Sequence, residues 1–123
     1  MRFMLDANAF ILLLTGYPPV AARASECGEE ELVLSAIAFA EVAHGSSHGK
    51  PPPDEVLQRF AQRIPILPFD VAAAQVYARL SFRRGSYDRL IAAHALAADV
   101  TLVTANLGDF RDVPGLKVED WTQ

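Results

Sequence analysis

The chain has 123 residues, the length of one domain, and apolar residues make up 51% of it, which excludes a disordered chain. The formal charge of −4 and isoelectric point near 5.2 give no overall attraction to nucleic acid. A polyanionic partner would therefore need a local basic patch, a metal ion or a second protein. Cys27 is the only cysteine, which excludes an internal disulfide and a cysteine-ligated zinc site. No apolar run reaches the ~20 residues of a membrane span. Asp6 and Asn8 interrupt the run that a signal peptide would need, so a cytoplasmic protein is expected.

The first half of the chain predicts two strands and four helices. The strands are Arg2–Leu5 and Leu32–Leu34, and the helices are Ala9–Leu14, Pro18–Cys27, Ala36–His44 and Asp54–Arg63. Ser35 is the expected N-cap of the third helix, and Gly45 is expected to end it. Residues 45–53 contain Gly, Ser, His and three prolines, which predicts the main loop.

The second half predicts three more strands and two helices. The strands are Ile64–Leu67, Thr101–Val103 and a short Leu116–Val118, and the helices are Val71 to about Phe82 and Tyr87–Ala98. Pro65 lacks a backbone donor, so its strand is expected at a sheet edge. Asp70 is the expected cap of the next helix, and residues 83–86 form a tight connection.

Alternating strands and helices predict a single α/β domain over residues 1–123, with a mostly parallel central sheet of four to five strands flanked by helices. In such folds, sites form at the carboxyl ends of strands near a switch in strand order.

Four acidic residues occur in apolar settings near those strand ends: Asp6, Glu41, Asp88 and Asp109. Each has an ordinary alternative role. Asp6 could cap a helix, and Glu41 could be a lone exposed charge. Asp88 could be a first-turn acid that the helix dipole favours, and Asp109 could belong to a turn.

Together the four predict one pocket of carboxylates. Clustered carboxylates raise one another's pKa, and bound Mg²⁺ or Mn²⁺ would remove that penalty with the oxygen ligands these ions prefer. Such a site supports metal-assisted hydrolysis of a phosphodiester. Asn8 and Asn106 are candidates to support it, and His94 is expected to be a packed, hydrogen-bonded histidine.

Five segments carry a resemblance to a known family: Phe3–Asn8, Leu34–Ile37 leading to Glu41 and Gly45, Tyr87–Ala95, Thr101–Thr104 and Asp109–Trp121. In them the chain resembles the PIN-domain ribonucleases, and specifically the VapC toxins of bacterial type II toxin–antitoxin systems. The resemblance covers nearly the whole length and implies a PIN-like three-layer fold.

The resemblance implies a Mg²⁺-dependent endoribonuclease that cleaves RNA such as tRNA or mRNA and is neutralised by a VapB-type antitoxin. It implies a homodimer, with a heterotetramer or larger assembly when the antitoxin binds. Asp6 and Asp88 would be the principal metal ligands, Glu41 would hold the metal or its water, and Asp109 would complete the acidic set. Four arginines surround Asp88 in the sequence, and either bind RNA phosphates or form a solvated helix end: Arg79, Arg83, Arg84 and Arg89.

Three departures from the family pattern bear on the site. Ala7 stands where relatives usually carry Thr or Ser, and the connection at residues 82–87 is shorter than usual. Some relatives carry an acid at the position of Asn106, and others at that of Asp109, so either residue could face the metal.

Two other function classes compete with a ribonuclease. One is a PIN-like domain kept only for binding, for which Ala7 and the short connection argue. The other is a Mg²⁺-dependent phosphotransfer domain. A haloacid-dehalogenase pattern would need an acid at Asn8, and a receiver domain would need an acidic pair and a late lysine that the chain lacks.

Overall fold

A five-stranded, fully parallel sheet forms the centre of the computed structural model, which describes residues 2–81 and 85–123. The strands are β1 (Phe3–Leu5), β2 (Leu32–Ser35), β3 (Ile66–Leu67), β4 (Thr101–Val103) and β5 (Val118–Glu119). Their spatial order is β3-β2-β1-β4-β5. The predicted α/β class and the edge position of the third strand are both confirmed.

Helices connect these strands. They are α1 (Ala7–Leu14), α2 (Pro18–Cys27), α3 (Ala36–Ser47), α4 (Asp54–Ala61), α5 (Val71–Arg79), α6 (Tyr87–Ala98) and α7 (Leu107–Phe110). A single 3₁₀ turn at Glu29–Glu31 precedes β2. Among the described residues, no helix is both long enough and apolar enough to cross a bilayer.

The core lies around the three inner strands. Every residue of β1, β2 and β4 is buried, as expected for parallel strands covered on both faces. The middle of α6 is buried from Ile91 to Ala95, and this helix packs against α5, α3, β2 and β4. α6 is therefore the central helix that its apolar sequence predicts.

The C-terminal segment is held to the sheet by Trp121, which is 1% exposed. Its indole Nε1 donates to Glu119 Oε1 at 2.9 Å, and Arg23 Nη2 donates to the same oxygen at 3.1 Å. The Arg23 guanidinium lies 5.3 Å from the indole ring centre, and the Phe3 ring lies 5.2 Å from it on the core side. These contacts connect α2, β1 and the chain end.

The predicted bounds were wrong at several element ends. α1 begins at Ala7 rather than Ala9, because Asp6 caps it. Gly45 does not end α3, which continues to Ser47; the left-handed residue comes later, at Gly49 (φ 85°). α4 ends at Ala61 instead of Arg63.

The later elements also differ at their ends. β3 contains only Ile66–Leu67, and α5 ends at Arg79 because Leu80 is already extended (ψ 140°). Phe82, Arg83 and Arg84 lie outside the described residues, so the predicted tight connection there is not described. The last strand pairs over Val118–Glu119, whereas Leu116–Val118 was predicted.

Candidate metal centre

Three strand ends meet at one edge of the sheet. Leu5 of β1 pairs with Leu34 of β2 on one side and with Val103 of β4 on the other. β1 is central, and the chain builds β2 and β3 to one side of it before adding β4 and β5 on the other. This is a switch in strand order, where α/β folds place their sites.

Asp6 follows β1 directly and is 5% exposed. Its backbone N–H donates to the Val103 carbonyl at 3.0 Å, and its Oδ1 accepts from the Ala9 N–H at 2.8 Å. The helix-capping role considered for Asp6 is therefore real. Burial raises the pKa of its carboxyl, opposed by a hydrogen bond from Thr104 and by the Ala9 bond, and the charge of Asp88 raises it further. Asp6 is both a structural cap and part of an acidic cluster.

Glu41 lies in the second turn of α3, whose N-terminus follows β2 directly. Burial raises the pKa of the Glu41 carboxyl, and the charges of Asp88 and Asp6 raise it further. Its Oε1 is buried without a hydrogen-bond partner. A buried carboxylate oxygen left unpaired is costly, so this atom is placed for a ligand.

Asp88 is the second residue of α6, which Ser86 caps by accepting from the Arg89 N–H at 3.2 Å. Burial raises the pKa of Asp88, the charge of Asp109 raises it further, and Arg89 lowers it. Asp109 lies on α7, just after β4, and is exposed. Asn106 Nδ2 donates to Asp109 Oδ2.

The four acids are thus linked in one electrostatic group: Asp6 with Asp88, Glu41 with both, and Asp88 with Asp109. Within residues 2–81 and 85–123, however, no three Asp, Glu, His or Cys side chains are arranged to hold a metal ion as they stand. The group is an open cluster of repelling carboxylates. The unpaired oxygen of Glu41 and the oxygen-only donor set fit a hard divalent cation, which would offset that repulsion.

Of the two asparagines predicted to support the acidic cluster, only Asn106 contacts one of its acids in the hydrogen bonds described. Asn8 is exposed in the first turn of α1, and Asn106 contacts Asp109 directly. Arg89 forms a two-point ion pair with Asp112, at 2.8 Å and 3.3 Å. Its guanidinium therefore already has an anionic partner. Arg83 and Arg84 lie outside the described residues.

Thr104 also contacts the acidic cluster, although no sequence pattern singled it out. It is fully buried, its hydroxyl hydrogen-bonds Asp6, and its Oγ1 accepts from the Asn106 N–H at 3.0 Å. A hydroxyl directly after β4, the neighbour of β1, is the signal that could have revealed it. Thr104 gives Asp6 a hydroxyl contact although Ala7 has none to offer.

His94 is the packed histidine that its apolar helix predicts. Its Nδ1 lies 2.8 Å from Ser35 Oγ, and the imidazole hydrogen-bonds the Pro68 carbonyl. Burial lowers the pKa of His94, although Asp70 and the Pro68 bond oppose that shift. A neutral ring that accepts from the Ser35 hydroxyl and donates to Pro68 satisfies both nitrogens. The Ser35 oxygen also accepts from the Ile37 N–H at 3.1 Å, so it connects α3 to α6.

Nearly the whole chain is similar to proteins of one known family. The model of the PIN-domain family matches residues 3–116. The tRNA(fMet)-specific endonuclease VapC of Salmonella typhimurium is 30% identical over 98% of both chains. Ribonuclease VapC2 of Rickettsia felis is also 30% identical, over 98% of both chains. Nucleases of the PIN family generally depend on a divalent metal.

Solved structures with the same fold include toxin–antitoxin complexes. The structure of VapBC2 from Rickettsia felis bound to a promoter DNA fragment has a TM-score of 0.84 and 29% identity, over 98% of this chain and 99% of that one. DNA-bound VapBC from Salmonella typhimurium has a TM-score of 0.82 and 30% identity, over 98% of both chains.

Proposed function

We propose that this chain, which belongs to the PIN-domain family and to its VapC ribonuclease branch, is a Mg²⁺-dependent endoribonuclease toxin of a type II toxin–antitoxin system. The observation that carries the proposal is the cluster of four electrostatically linked carboxylates at the switch in strand order. Family membership indicates hydrolysis of RNA phosphodiesters, and the cluster is the proposed location of that reaction.

In this proposal Asp6 and Asp88 are the principal metal ligands, and Glu41 and Asp109 complete the site. Bound Mg²⁺ would supply the activation of water for attack on the phosphodiester and charge stabilisation at the leaving oxygen. Glu41 Oε1, buried and without a partner, would orient the attacking water by accepting its proton in a hydrogen bond. Thr104 and the Ala9 N–H fix the Asp6 carboxylate, so that it needs no reorganisation on loading.

Mg²⁺ is favoured as the ion because every candidate ligand is a carboxylate or amide oxygen. Mn²⁺ accepts the same ligands, so it is expected to substitute in an assay.

The proposed substrate is tRNA or mRNA. The names of the relatives point this way, since two of them are tRNA(fMet)-specific endonucleases. Because the chain carries a net charge of −4, its contact with RNA phosphates must come from a local group of basic residues. The candidates for phosphate contact are Arg83, Arg84 and Arg89. To bind RNA, Arg89 would have to break its ion pair with Asp112 or share its guanidinium between Asp112 and a phosphate.

The proposed partner is a VapB-type antitoxin, because the related VapC chains have been solved as VapBC complexes. An antitoxin arginine or lysine entering the acidic cluster would satisfy the same carboxylates as a metal. A homodimer, a heterotetramer or larger complex with antitoxin, and a cytoplasmic location belong to the same proposal.

A second candidate is a PIN-like domain that binds RNA or protein without cutting. The open arrangement of the acids and the alanine at Ala7 favour it. The two candidates differ in whether purified wild-type chain cleaves RNA.

The test is to incubate the purified chain with tRNA(fMet) and with mRNA in Mg²⁺, in Mn²⁺ and in a chelator. Cleavage that needs metal, and growth arrest relieved by co-expressing the protein encoded beside it, would support the toxin. Absence of cleavage with both ions, at protein concentrations where RNA binding is saturated, would favour the binding domain.

A further inference from the structure

A cavity of about 440 Å³ opens beside the acidic cluster, between α3 and the start of α6. Four residues of α3 form one wall at positions i, i+3, i+4 and i+7: Ile37, Ala40, Glu41 and His44. Tyr87, the residue before Asp88, forms the opposite wall. The cavity therefore adjoins the metal centre on both sides, through Glu41 and through the neighbour of Asp88.

The cavity lining combines apolar and aromatic side chains. Ile37 and Ala40 are its apolar members, and His44 and Tyr87 are exposed aromatic rings, with Tyr87 62% exposed. A tyrosine this exposed contributes little to the core. Its ring is available to a ligand.

The His44 ring is supported by its neighbour. The His48 ring centre lies 4.3 Å from that of His44, and His48 Nδ1 lies 2.8 Å from the His44 carbonyl oxygen. This contact limits the freedom of the His44 side chain at the cavity rim.

We propose that this cavity binds an unpaired base of the RNA substrate, next to the phosphodiester that is cut. The inference rests on the proposed ribonuclease function and adds the residues that hold the base beside the cut bond, Tyr87 and His44. Unpaired bases stack on aromatic side chains, and the histidine and tyrosine offer hydrogen-bonding groups to base edges. A volume of about 440 Å³ lies within the usual range of ligand pockets.

The position of the cavity favours a base over an acidic protein segment. A phosphate held at the carboxylate cluster through a metal would place the adjoining base within one nucleotide of it. Glu41 and Asp88 flank the cavity, so an acidic peptide would be repelled from it, whereas a nucleic-acid base carries no charge.

The test uses tRNA(fMet) transcript as the probe, with the cleaved bond mapped first on the wild-type chain in Mg²⁺. Tyr87→Leu removes the ring and Tyr87→Phe keeps it; Tyr17→Leu is the matched control, since Tyr17 is also exposed and precedes α2. We expect Tyr87→Leu to raise KM about tenfold or more, as loss of one stacked base would, with a much smaller change in kcat. Tyr87→Phe should restore most of the affinity, and Tyr17→Leu should behave as wild type.

Abasic substitution in the RNA identifies the occupant. Removing one base beside the mapped bond should weaken wild-type cleavage as much as Tyr87→Leu does, and the two changes together should cost no more than either alone. Additive losses, or equal KM values for Tyr87→Leu and Tyr17→Leu, would overturn the base pocket while leaving the ribonuclease intact. A Tyr87→Leu protein that cuts normally but no longer binds its antitoxin would overturn it in favour of a protein ligand.

Failure of the proposed function gives a different result. If wild-type chain cuts no RNA, binding of a loop oligonucleotide carrying 2-aminopurine is measured instead. Fluorescence quenching by wild type and Tyr87→Phe, but not by Tyr87→Leu, would support the base pocket in a non-cleaving domain. Equal quenching by wild type and Tyr87→Leu, or no quenching by any of the three proteins, would overturn the base pocket.

Discussion

At the scale of single residues, the site is defined by how each carboxylate is held. Asp6 is buried and fixed by the Ala9 N–H and the Thr104 hydroxyl, whereas Asp109 is exposed and held by Asn106. Buried, preorganised ligands contribute more than exposed ones, because less order must be imposed when the ion binds. The four acids should therefore differ in their effect on activity.

Asp109→Asn is expected to lower the cleavage rate by about 10-fold to 100-fold, the usual cost of losing an outer ligand or its support. Asn106→Ala should lower the cleavage rate by about 10-fold, because it leaves the Asp109 carboxylate in place and removes only the hydrogen bond that orients it. Initial cleavage rates at saturating Mg²⁺ measure both. A larger loss in Asn106→Ala than in Asp109→Asn would show that the amide, and not the acid, faces the metal.

The raised pKa values of Asp6, Glu41 and Asp88 predict a pH dependence of stability in the absence of metal. The folded state keeps protons on these carboxyls at pH values where the unfolded chain has released them. The free energy of unfolding should therefore fall as pH rises from about 4 through the raised pKa values.

Urea unfolding in chelator across that pH range measures this trend. Asp88→Asn should flatten the decline, because it removes one acid and relieves Asp6 and Glu41 of its charge. Asp99→Asn is the matched control, since Asp99 is exposed at the opposite end of α6 in a left-handed conformation (φ 54°) that asparagine adopts readily. An equal slope in wild type and Asp88→Asn would contradict the assignment of the shifts to this cluster.

At the scale of elements, Ser35 fixes the two helices that carry Glu41 and Asp88. It ends β2, caps α3 and hydrogen-bonds His94 in α6. One buried hydroxyl therefore links the two helices directly.

Ser35→Ala is expected to lower the free energy of unfolding by about 2 kcal/mol or more, because it removes a helix cap and leaves the buried His94 Nδ1 unpaired. Asp70→Ala, which removes the cap of α5 and leaves the Ser35–His94 hydrogen bond in place, should cost about 1 kcal/mol. Chemical denaturation of both variants makes the comparison. If Ser35→Ala costs no more than Asp70→Ala, the hydroxyl does not link the helices as described.

The sequence predicted the elements better than their ends. α2, α6 and β4 have the bounds that their patterns indicated: α2 begins at Pro18 and ends before Gly28, Ser86 caps α6, and every residue of β4 is buried. A glycine at position 45 predicts the end of α3, yet the Gly45 carbonyl accepts from the backbone N–H groups of His48 and Lys50, and the helix ends at Ser47. The last strand lies later in the chain than predicted. Its position is set by pairing with β4, and local composition does not encode that pairing.

The gathering of the acids at one edge of the sheet was predictable where it depends on strand ends. Asp6 and Asp109 follow strands in the sequence, and parallel neighbours bring such positions to one edge. Contacts between distant side chains were not predictable in this way. The Thr104 hydroxyl on Asp6 and the pairing of Arg89 with Asp112 depend on rotamers and helix ends that no local pattern specifies.

At the scale of the whole molecule, metal binding and folding should be linked. The folded chain brings four carboxylates together, whereas the unfolded chain separates them, so a divalent ion favours the folded state. At an ion concentration about 100 times its Kd the gain would be about 2.7 kcal/mol. The Tm of the wild-type chain should therefore rise with Mg²⁺, and that of Asp6→Asn should change little. A Tm that rises equally in both would place the ion elsewhere.

The central claim, that this acidic cluster is the centre of a metal-dependent ribonuclease, is tested most directly by the Mg²⁺ dependence of tRNA cleavage in four proteins: wild type, Asp6→Asn, Asp88→Asn and Asp99→Asn. We predict saturable activation by Mg²⁺ in wild type and Asp99→Asn. Asp6→Asn and Asp88→Asn should lose at least about 100-fold at every Mg²⁺ concentration while keeping the wild-type circular dichroism spectrum. Cleavage by Asp6→Asn or Asp88→Asn at the rate and Mg²⁺ dependence of Asp99→Asn would contradict the claim.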